Sequence, residues 1–174
     1  LQDTFTVEEK TDSAFVQLDF AFGNAVPIRG NVGVRSFETD QSSTGIASLA
    51  AGTISADVQY SDTLPSLNLV AEVTDELLLR FGYAEVINRP GMLLLRPVSS
   101  VQVSGSNRQV NGNNPGLGPT FAATYDLSAE WYFAEESVLA LALFKKDIGS
   151  FVQTIVQSVP YTETGLPLQQ AMVA

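Results

Sequence analysis

The chain has 174 residues, with 9 Lys and Arg against 19 Asp and Glu, and a formal net charge of -10. A surface this acidic repels phosphate backbones, so nucleic acid is not expected as a partner. His and Cys are both missing, which removes the usual general base at neutral pH, the commonest metal ligand, disulfides and thiolate sites. We therefore expect neither catalysis, nor a metal, nor a cofactor.

Alternation of apolar and polar residues predicts strands along most of the chain. The first is the plainest, with Val16, Leu18 and Phe20 on one face and Gln17 and Asp19 on the other. The predicted strands, in chain order, cover residues 14–22, 28–39, 55–73, 77–87, 125–133 and 138–152. Pro65 cannot donate to a ladder, so it predicts an edge, bulge or kink within the third strand.

The connections between these strands alternate in length. Short turns are predicted at residues 23–27, 74–76 and 134–137, and long loops at residues 40–54, 88–120 and after 152. Outer-membrane barrels have short turns at one rim and long loops at the other. The chain is therefore predicted to be all-β, an antiparallel meander of long strands that forms part of a large transmembrane β-barrel.

Two further features bear on this prediction. Trp131, Tyr132 and Phe133 precede the turn at 134–137, as expected of an interfacial aromatic girdle. In the strand at 77–87, the face with Leu77 and Phe81 is predicted to point outward, together with Leu79 and Tyr83, and Arg80 to face the concave side. Alternation alone equally allows a soluble or surface-displayed β-sandwich binding module, in which these aromatics fill a core.

Several segments resemble the barrel of TonB-dependent outer-membrane receptors, and they occur in the family's order. They are RGNVGVR at 29–35, LPSLNL at 64–69, LLLRFGYAEVINRPG at 77–91, GNNPGLGP at 112–119, and YDLSAEWYF with ALFKKDIGSFV within 125–152. The similarity covers residues 9–152. One departure concerns the loop motif, which commonly continues with Lys-Pro-Glu in the family, where this chain has Gly118, Pro119 and Thr120.

The resemblance implies that residues 1–174 are a partial β-barrel domain, with the plug domain and the barrel termini not in this chain. It implies energised uptake of a scarce nutrient, such as a ferric siderophore, cobalamin or an oligosaccharide, across the bacterial outer membrane. The implied partners are outer-membrane lipid, a small-molecule substrate and, through the plug, the TonB energy-transducing complex. No chemistry on the substrate is implied.

The resemblance also suggests roles for polar residues. Arg29, Arg35 and Arg80 would face the lumen or the plug; the simpler interpretation is that they are solvated strand residues paired with nearby Asp or Glu. The substrate-binding candidates are loop residues, namely Arg89, Arg96, Arg108, Asn113 and Asn114. Their simpler interpretation is solvated loop charges and, for the two asparagines, turn chemistry.

Overall fold

The computed structural model describes residues 4–46, 53–97, 99–104, 107–160 and 163. These residues form eight strands and one short 3-10 helix, Met92–Leu95. The strands are β1 (Thr4–Phe22), β2 (Ile28–Ile46), β3 (Thr53–Thr74), β4 (Leu77–Asn88), β5 (Ser99–Ser104), β6 (Asn107–Gly112), β7 (Thr120–Ala134) and β8 (Ser137–Ile148). In the part of the chain described here, no helix is long and apolar enough to cross a membrane.

Six strands form one antiparallel sheet in the order β1-β2-β3-β4-β7-β8. Each of these strands pairs with the next, and the hairpin β5–β6 is an insertion between β4 and β7 that pairs only with itself. The predicted all-β antiparallel meander is therefore confirmed. Register fixes the faces, because residues opposite one another across an antiparallel pair project to the same side.

The short turns are stabilised by local chemistry. Gly23 has φ +99°, and a Cβ at this position would lie 2.3 Å from the carbonyl oxygen of Val26. In the turn after β3, the Thr74 hydroxyl accepts hydrogen bonds from the backbone N–H groups of Glu76 and Leu77, at 3.2 and 3.0 Å. Gly and Thr act here as turn residues generally do, the first through its freedom of φ and the second through its side-chain oxygen.

The long connections differ from their predictions. The predicted loop at 40–54 is wrong at both ends, because residues 40–46 extend β2 and β3 begins at Thr53; residues 47–52 lie outside the described ranges. The predicted loop at 88–120 contains the 3-10 helix and the β5–β6 hairpin, and β8 ends at Ile148 rather than 152. Residues 40–44 carry polar side chains on both faces, so the alternation that predicts a strand is missing although the backbone pairs on both sides.

Pro65 lies where β3 stops pairing with β4 but continues to pair with β2. β3 pairs with β2 continuously through this residue, opposite Val34, whereas its pairing with β4 starts only at Ser66, opposite Ala84. Because proline has no N–H to donate, it is suited to a position where one edge of a strand becomes free. The predicted edge is therefore confirmed, but β3 is not interrupted.

One face of the sheet is apolar along most of its width, and the other is mixed, with charged and amide side chains beside the exposed Phe15 and Phe144. We call the second one the polar face. The apolar face contains Leu77, Leu79, Phe81 and Tyr83, and pairing places it in line with the apolar residues of the neighbouring strands. Arg80 lies on the opposite, polar face, and its position on the concave side stays a prediction. The described residues include no second sheet over the apolar face, where large side chains are exposed, among them Leu18, Leu141 and Leu143. This arrangement fits a barrel wall better than a sandwich.

Candidate functional site

Aromatic side chains lie at both edges of the apolar face. Next to the turns, Phe20 stacks on Phe22 with centroids 5.8 Å apart, and Trp131 contacts Phe133 at 5.4 Å. At the other edge, Tyr83 contacts Tyr125 at 5.1 Å, and the Lys145 ammonium lies 5.7 Å from the centre of the Tyr125 ring. Girdles of aromatic residues on both sides of an apolar band are typical of transmembrane barrels.

The sequence predicted only the girdle beside the turns. Tyr83 and Tyr125 are far apart in the chain, and only the β4–β7 pairing makes them neighbours. Charged residues follow directly after this pair of tyrosines. Lys145 forms an ion pair with Asp147 at 2.8 Å, at the point where the apolar face ends.

The same face continues beyond this edge on the longer strands β1, β2 and β3, but its side chains become charged. Glu8, Lys10 and Asp12 on β1 are exposed, and Lys10 lies opposite Asp40 on β2. This face of β1 is apolar along Val16–Phe22 and charged along Glu8–Asp12. Such a change along one strand is expected where an apolar environment meets an aqueous one. The apolar stretch of β1, Val16–Phe22, is about 20 Å long at 3.3 Å per residue, somewhat shorter than the height of about 25 Å for a lipid-facing band.

The polar face carries a network of charged and amide side chains at the level of the apolar band. Arg80 donates two hydrogen bonds to Glu130, at 2.9 and 3.2 Å, and the Tyr132 hydroxyl donates a third at 2.9 Å. Arg29 pairs with Glu72. Such pairs keep charges satisfied on a wall that is only partly exposed to water.

The lumen-facing candidates thus share one face. Arg29, Arg35 and Arg80 all lie on the polar side of the sheet, and Arg35 donates to the Ser13 hydroxyl at 3.2 Å. Arg29 and Arg80 have carboxylate partners, which agrees with the simpler interpretation of these two residues as paired strand charges. Contact with a plug stays a prediction for all three.

The connection after β4 contacts the polar face of β1 and β2 through the side chain of its first residue. We call residues 89–97 the cover segment. Its first residue, Arg89, donates hydrogen bonds to the hydroxyls of Thr11 and Thr39 at 3.0 and 3.2 Å, and lies 3.7 Å from a Glu9 carboxylate oxygen. Farther along, Leu95 is fully buried. Thr11 belongs to β1 and Thr39 to β2. Because the Arg89 side chain bonds to both strands, it attaches the segment to the sheet.

Polar residues of β2 are buried in the same region. Thr39, Gln41 and Ser43 are at most 2% exposed, and they occupy successive positions on the polar face, since strand side chains alternate. The Gln41 amide donates to the carbonyl of Pro115 at 3.4 Å, so the part of the loop that precedes β7 also reaches this surface. The sequence did not identify Gln41 and Ser43, because it placed residues 40–54 in a loop.

No direct contact joins the four substrate-binding candidates whose side chains are described, Arg89, Arg96, Asn113 and Asn114. Arg89 and Arg96 lie in the cover segment. Asn114 accepts a hydrogen bond from the Gly116 N–H at 2.9 Å, which is turn chemistry, and Asn113 is exposed. The side chain of Arg108 lies outside the described structure. Within the described ranges, no group of three or more acidic side chains could hold a metal ion.

Taken together, the sheet has the two faces of a transmembrane barrel wall: an apolar face with aromatic edges, and a polar face partly covered by a long connection. The sequence model of the family described as "TonB dependent receptor-like, beta-barrel" matches residues 2–171. The chain belongs to this family, whose members are receptors and transporters of the outer membrane rather than enzymes. No curated protein sequence matches the chain directly.

Solved structures with similar folds are much larger than this chain. The ferric yersiniabactin uptake receptor FyuA from Yersinia pestis is 14% identical, with a TM-score of 0.52 over 84% of this chain and 21% of that receptor. The ferric-catecholate import receptor Fiu from E. coli K12 is 16% identical, with a TM-score of 0.50 over 82% and 22%. The siderophore receptor PiuA from Acinetobacter baumannii is 16% identical, with a TM-score of 0.51 over 79% and 19%. The chain thus spans about a fifth of these receptors and shares their fold.

Proposed function

We propose that the chain forms part of the barrel wall of a TonB-dependent outer-membrane transporter that takes up a scarce nutrient. The observation that carries this proposal is the separation of faces in the six-stranded sheet. One face bears an apolar band with aromatics at both edges, as a surface in contact with lipid requires, and the other bears the Arg80–Glu130 network, which suits a hydrated lumen.

The energetics of lipid exposure support a wall that is completed by other strands. A strand edge in hydrocarbon leaves backbone N–H and C=O groups unpaired, at several kcal/mol each, and only a closed barrel pairs them all. On this proposal, residues 1–174 are a partial barrel domain, and further strands of the receptor close a barrel of roughly 22 strands. The TonB complex then acts through the plug domain of the same receptor.

The polar groups have distinct roles in this proposal. Arg29, Arg35 and Arg80 face the lumen, where a plug and a passing substrate can meet them. Arg89, Arg96, Arg108, Asn113 and Asn114 belong to the long connection that faces the exterior, where substrate is captured. Among scarce nutrients, a ferric siderophore is the substrate that we propose first. The three similar receptors described above are named for ferric yersiniabactin, for ferric catecholate and for a siderophore.

Uptake in cells tests the proposal. The source organism, or an expressing strain that has no other receptor for the compound, is given a ferric catecholate, a ferric hydroxamate, cobalamin or a maltodextrin as its limiting nutrient. We expect one of these to support growth in cells with the intact receptor and not in cells without the receptor gene or without TonB. Growth on the nutrient that continues without TonB would contradict energised transport, and uptake of none of them would contradict the nutrient class.

The boundary of the lipid-facing band can be located by cysteine labelling on β1. Leu18 and Lys10 are on the same face and both are exposed in the sheet, Leu18 by 63%. In intact cells, we expect Lys10→Cys to react with a charged, membrane-impermeant maleimide, and Leu18→Cys to be protected because lipid surrounds it. This stretch has no native cysteine, so the introduced thiol is its only target.

The matched control is labelling after detergent extraction and unfolding, in which both cysteines should react equally. If Leu18→Cys reacted in intact cells as fast as Lys10→Cys, the apolar face would not be in contact with lipid. That result would remove the main support for the barrel wall.

A further inference from the structure

The first half of β3, residues 53–64, has one edge without a partner strand. These residues pair with β2 along their whole length, whereas the pairing of β3 with β4 begins only at Ser66. In an antiparallel ladder every second residue directs its N–H and C=O groups away from the partner strand, so half of these residues point to the open edge. The β5–β6 hairpin pairs only with itself, and no other strand in the described ranges pairs with this edge.

The chain that follows β4 does not cover the edge. β4 pairs with β7 up to Asn88, and the next side chain, Arg89, bonds to Thr11 of β1 and Thr39 of β2 on the polar face. Among the described residues of this connection, no backbone hydrogen bond reaches β3. The backbone groups along residues 53–64 are therefore open to a strand from elsewhere.

The open edge is long and regular. It extends for about 40 Å at 3.3 Å per residue, and its register with β2 is continuous. Exposed strand edges are templates for pairing, which proteins commonly prevent with lysines, prolines, bulges or short length. Residues 53–64 contain no lysine and no proline. Their charged residues, Asp57 and Asp62, disfavour only a strand that places acidic residues beside them.

Carboxylates lie next to the edge on the face that continues the apolar band. They are exposed, belong to three neighbouring strands, and are Glu8, Asp12, Glu38, Asp40 and Asp57. Lys10 is the one cation on this described part of the face, and none of the five carboxylates forms an ion pair with a described residue. A strand that adds at this edge is therefore favoured by basic side chains on the same face.

The opposite face beside the edge is less polar. Ala56, Val58 and Tyr60 are half-buried there, and the Tyr60 ring contacts Phe37 edge-on at 6.2 Å. Apolar and aromatic residues on neighbouring strands stabilise a sheet when they face β-branched or aromatic residues. The two faces together favour an added strand in which basic residues alternate with β-branched ones.

We propose that residues 53–64 are a docking edge for an extended segment of a partner protein, which adds to β3 as a strand. Its basic residues lie beside Asp57, and its β-branched residues lie beside Val58 and Tyr60. In strand addition, backbone hydrogen bonds give affinity and alternate side chains give specificity. A second copy of this chain is a poorer occupant, because two such edges bring like charges together. Docking does not depend on transport; only its location outside the cell rests on the proposed function.

Binding of a synthetic peptide to the purified full-length receptor tests the docking edge. The probe is a decapeptide in which lysine alternates with valine, and the control peptide has the same residues in two blocks, all lysines before all valines. Fluorescence anisotropy in nonionic detergent at physiological salt gives the Kd. We expect the alternating peptide to bind about ten-fold more tightly or better, because only alternation places one kind of side chain on each face of a strand. Equal affinity for the two peptides would overturn strand addition.

Hydrogen exchange locates the bound peptide. We expect the alternating peptide to slow exchange of backbone amides within residues 53–64, because the added strand accepts their hydrogen bonds. Binding that leaves these amides unchanged would contradict the proposal. Slow exchange without peptide would contradict it as well: at every receptor concentration it would show that the β5–β6 hairpin occupies the edge, and if it increased with receptor concentration it would show that a second copy does.

Asp57→Lys and Glu8→Lys separate the edge from the acidic surface around it. Glu8 lies opposite Ser42, and Ser42 lies opposite Asp57, so the two carboxylates share one row of the sheet. Glu8 is two strands from the edge, about 10 Å at the usual strand spacing, which exceeds the screening length at physiological salt. Asp57→Lys should raise the Kd of the alternating peptide about ten-fold or more, because a lysine at the edge repels the basic strand.

Glu8→Lys makes the same change of charge and should raise the Kd by less than about three-fold. Equal effects of the two substitutions would mean that the peptide binds the acidic surface rather than the edge, which would overturn the proposal. None of these measurements involves nutrient uptake, so failure of the docking edge is distinguishable from failure of the proposed function.

Discussion

Replacing Leu141 by Arg should destabilise the assembled receptor by about 2–4 kcal/mol, because a guanidinium near the middle of a lipid-facing band cannot be hydrated. Leu141 is 65% exposed on the apolar face. It lies between the level of Trp131, opposite Leu139, and that of Tyr125, opposite Lys145. Urea titration of the receptor refolded into lipid vesicles, followed by the shift in gel mobility on heating, measures the loss.

Ala142 supplies the control for this substitution. It follows Leu141 directly, so it lies at nearly the same depth but projects from the polar face, opposite Ser128. Ala142→Arg should change the free energy of unfolding by less than about 1 kcal/mol, as is usual for exposed polar positions. Equal effects at the two positions would mean that the sheet has no lipid-facing side, and a larger loss at Ala142 would mean that the faces are assigned the wrong way round.

Substitution of Gly30 by Ala should also be severe, although it adds a single methyl group. A Cβ at Gly30 would lie 2.1 Å from the backbone oxygen of Asn68 and 3.0 Å from the Phe20 ring. The backbone of β3 must then shift against its ladder, and overpacking of this kind typically destabilises by about 1–3 kcal/mol. The same urea titration would detect it, and assembled receptor should be less abundant in membranes.

Gly82 on β4 is the matched glycine. Its added Cβ would meet only ordinary contacts, 3.6 Å from Asp126 and 3.7 Å from Asn68. Gly82→Ala should therefore be neutral or stabilising by about 0.4–1 kcal/mol, because alanine restricts the unfolded chain. A Gly30→Ala variant as stable as Gly82→Ala would show that β2 and β3 are farther apart than described.

The parts of the fold that the sequence predicted are those encoded by local alternation. Along β4, Leu79 and Phe81 alternate with Arg80, and the register places them on opposite faces of the sheet. Along the far end of β2, Glu38 and Asp40 alternate with Thr39 and Gln41, so both faces are polar and no period marks a strand. That stretch is a strand because β1 and β3 pair with it on both sides, and such pairing cannot be read from a short window.

The candidate site shows the same limit. Arg89 was identified from its place in a long connection, but its partners, Glu9 and Thr39, are distant in the chain. Gln41 likewise donates to the carbonyl of Pro115, which is far along the sequence. Sequence chemistry can therefore suggest which side chains are available for binding, whereas the surface that they share is set by tertiary pairing.

The separation of β3 from β4 at Pro65 affects how the long ends of β1, β2 and β3 are joined to the other strands. Beyond Ser66, residues 53–64 keep their ladder with β2, but the described structure shows no strand on their other side. Where this part of β3 is in contact with water, water can satisfy the unpaired backbone N–H and C=O groups of residues 53–64. The same unpaired strand edge would be unfavourable in hydrocarbon. The long ends of β1, β2 and β3 then form a three-stranded flap, joined to the rest of the sheet at its base and attached to the connection between β4 and β7 by Arg89 and by the Gln41–Pro115 hydrogen bond. Any bending of this flap relative to the other strands would have to break those side-chain contacts, whereas the ladders β4–β7–β8 are not involved in them.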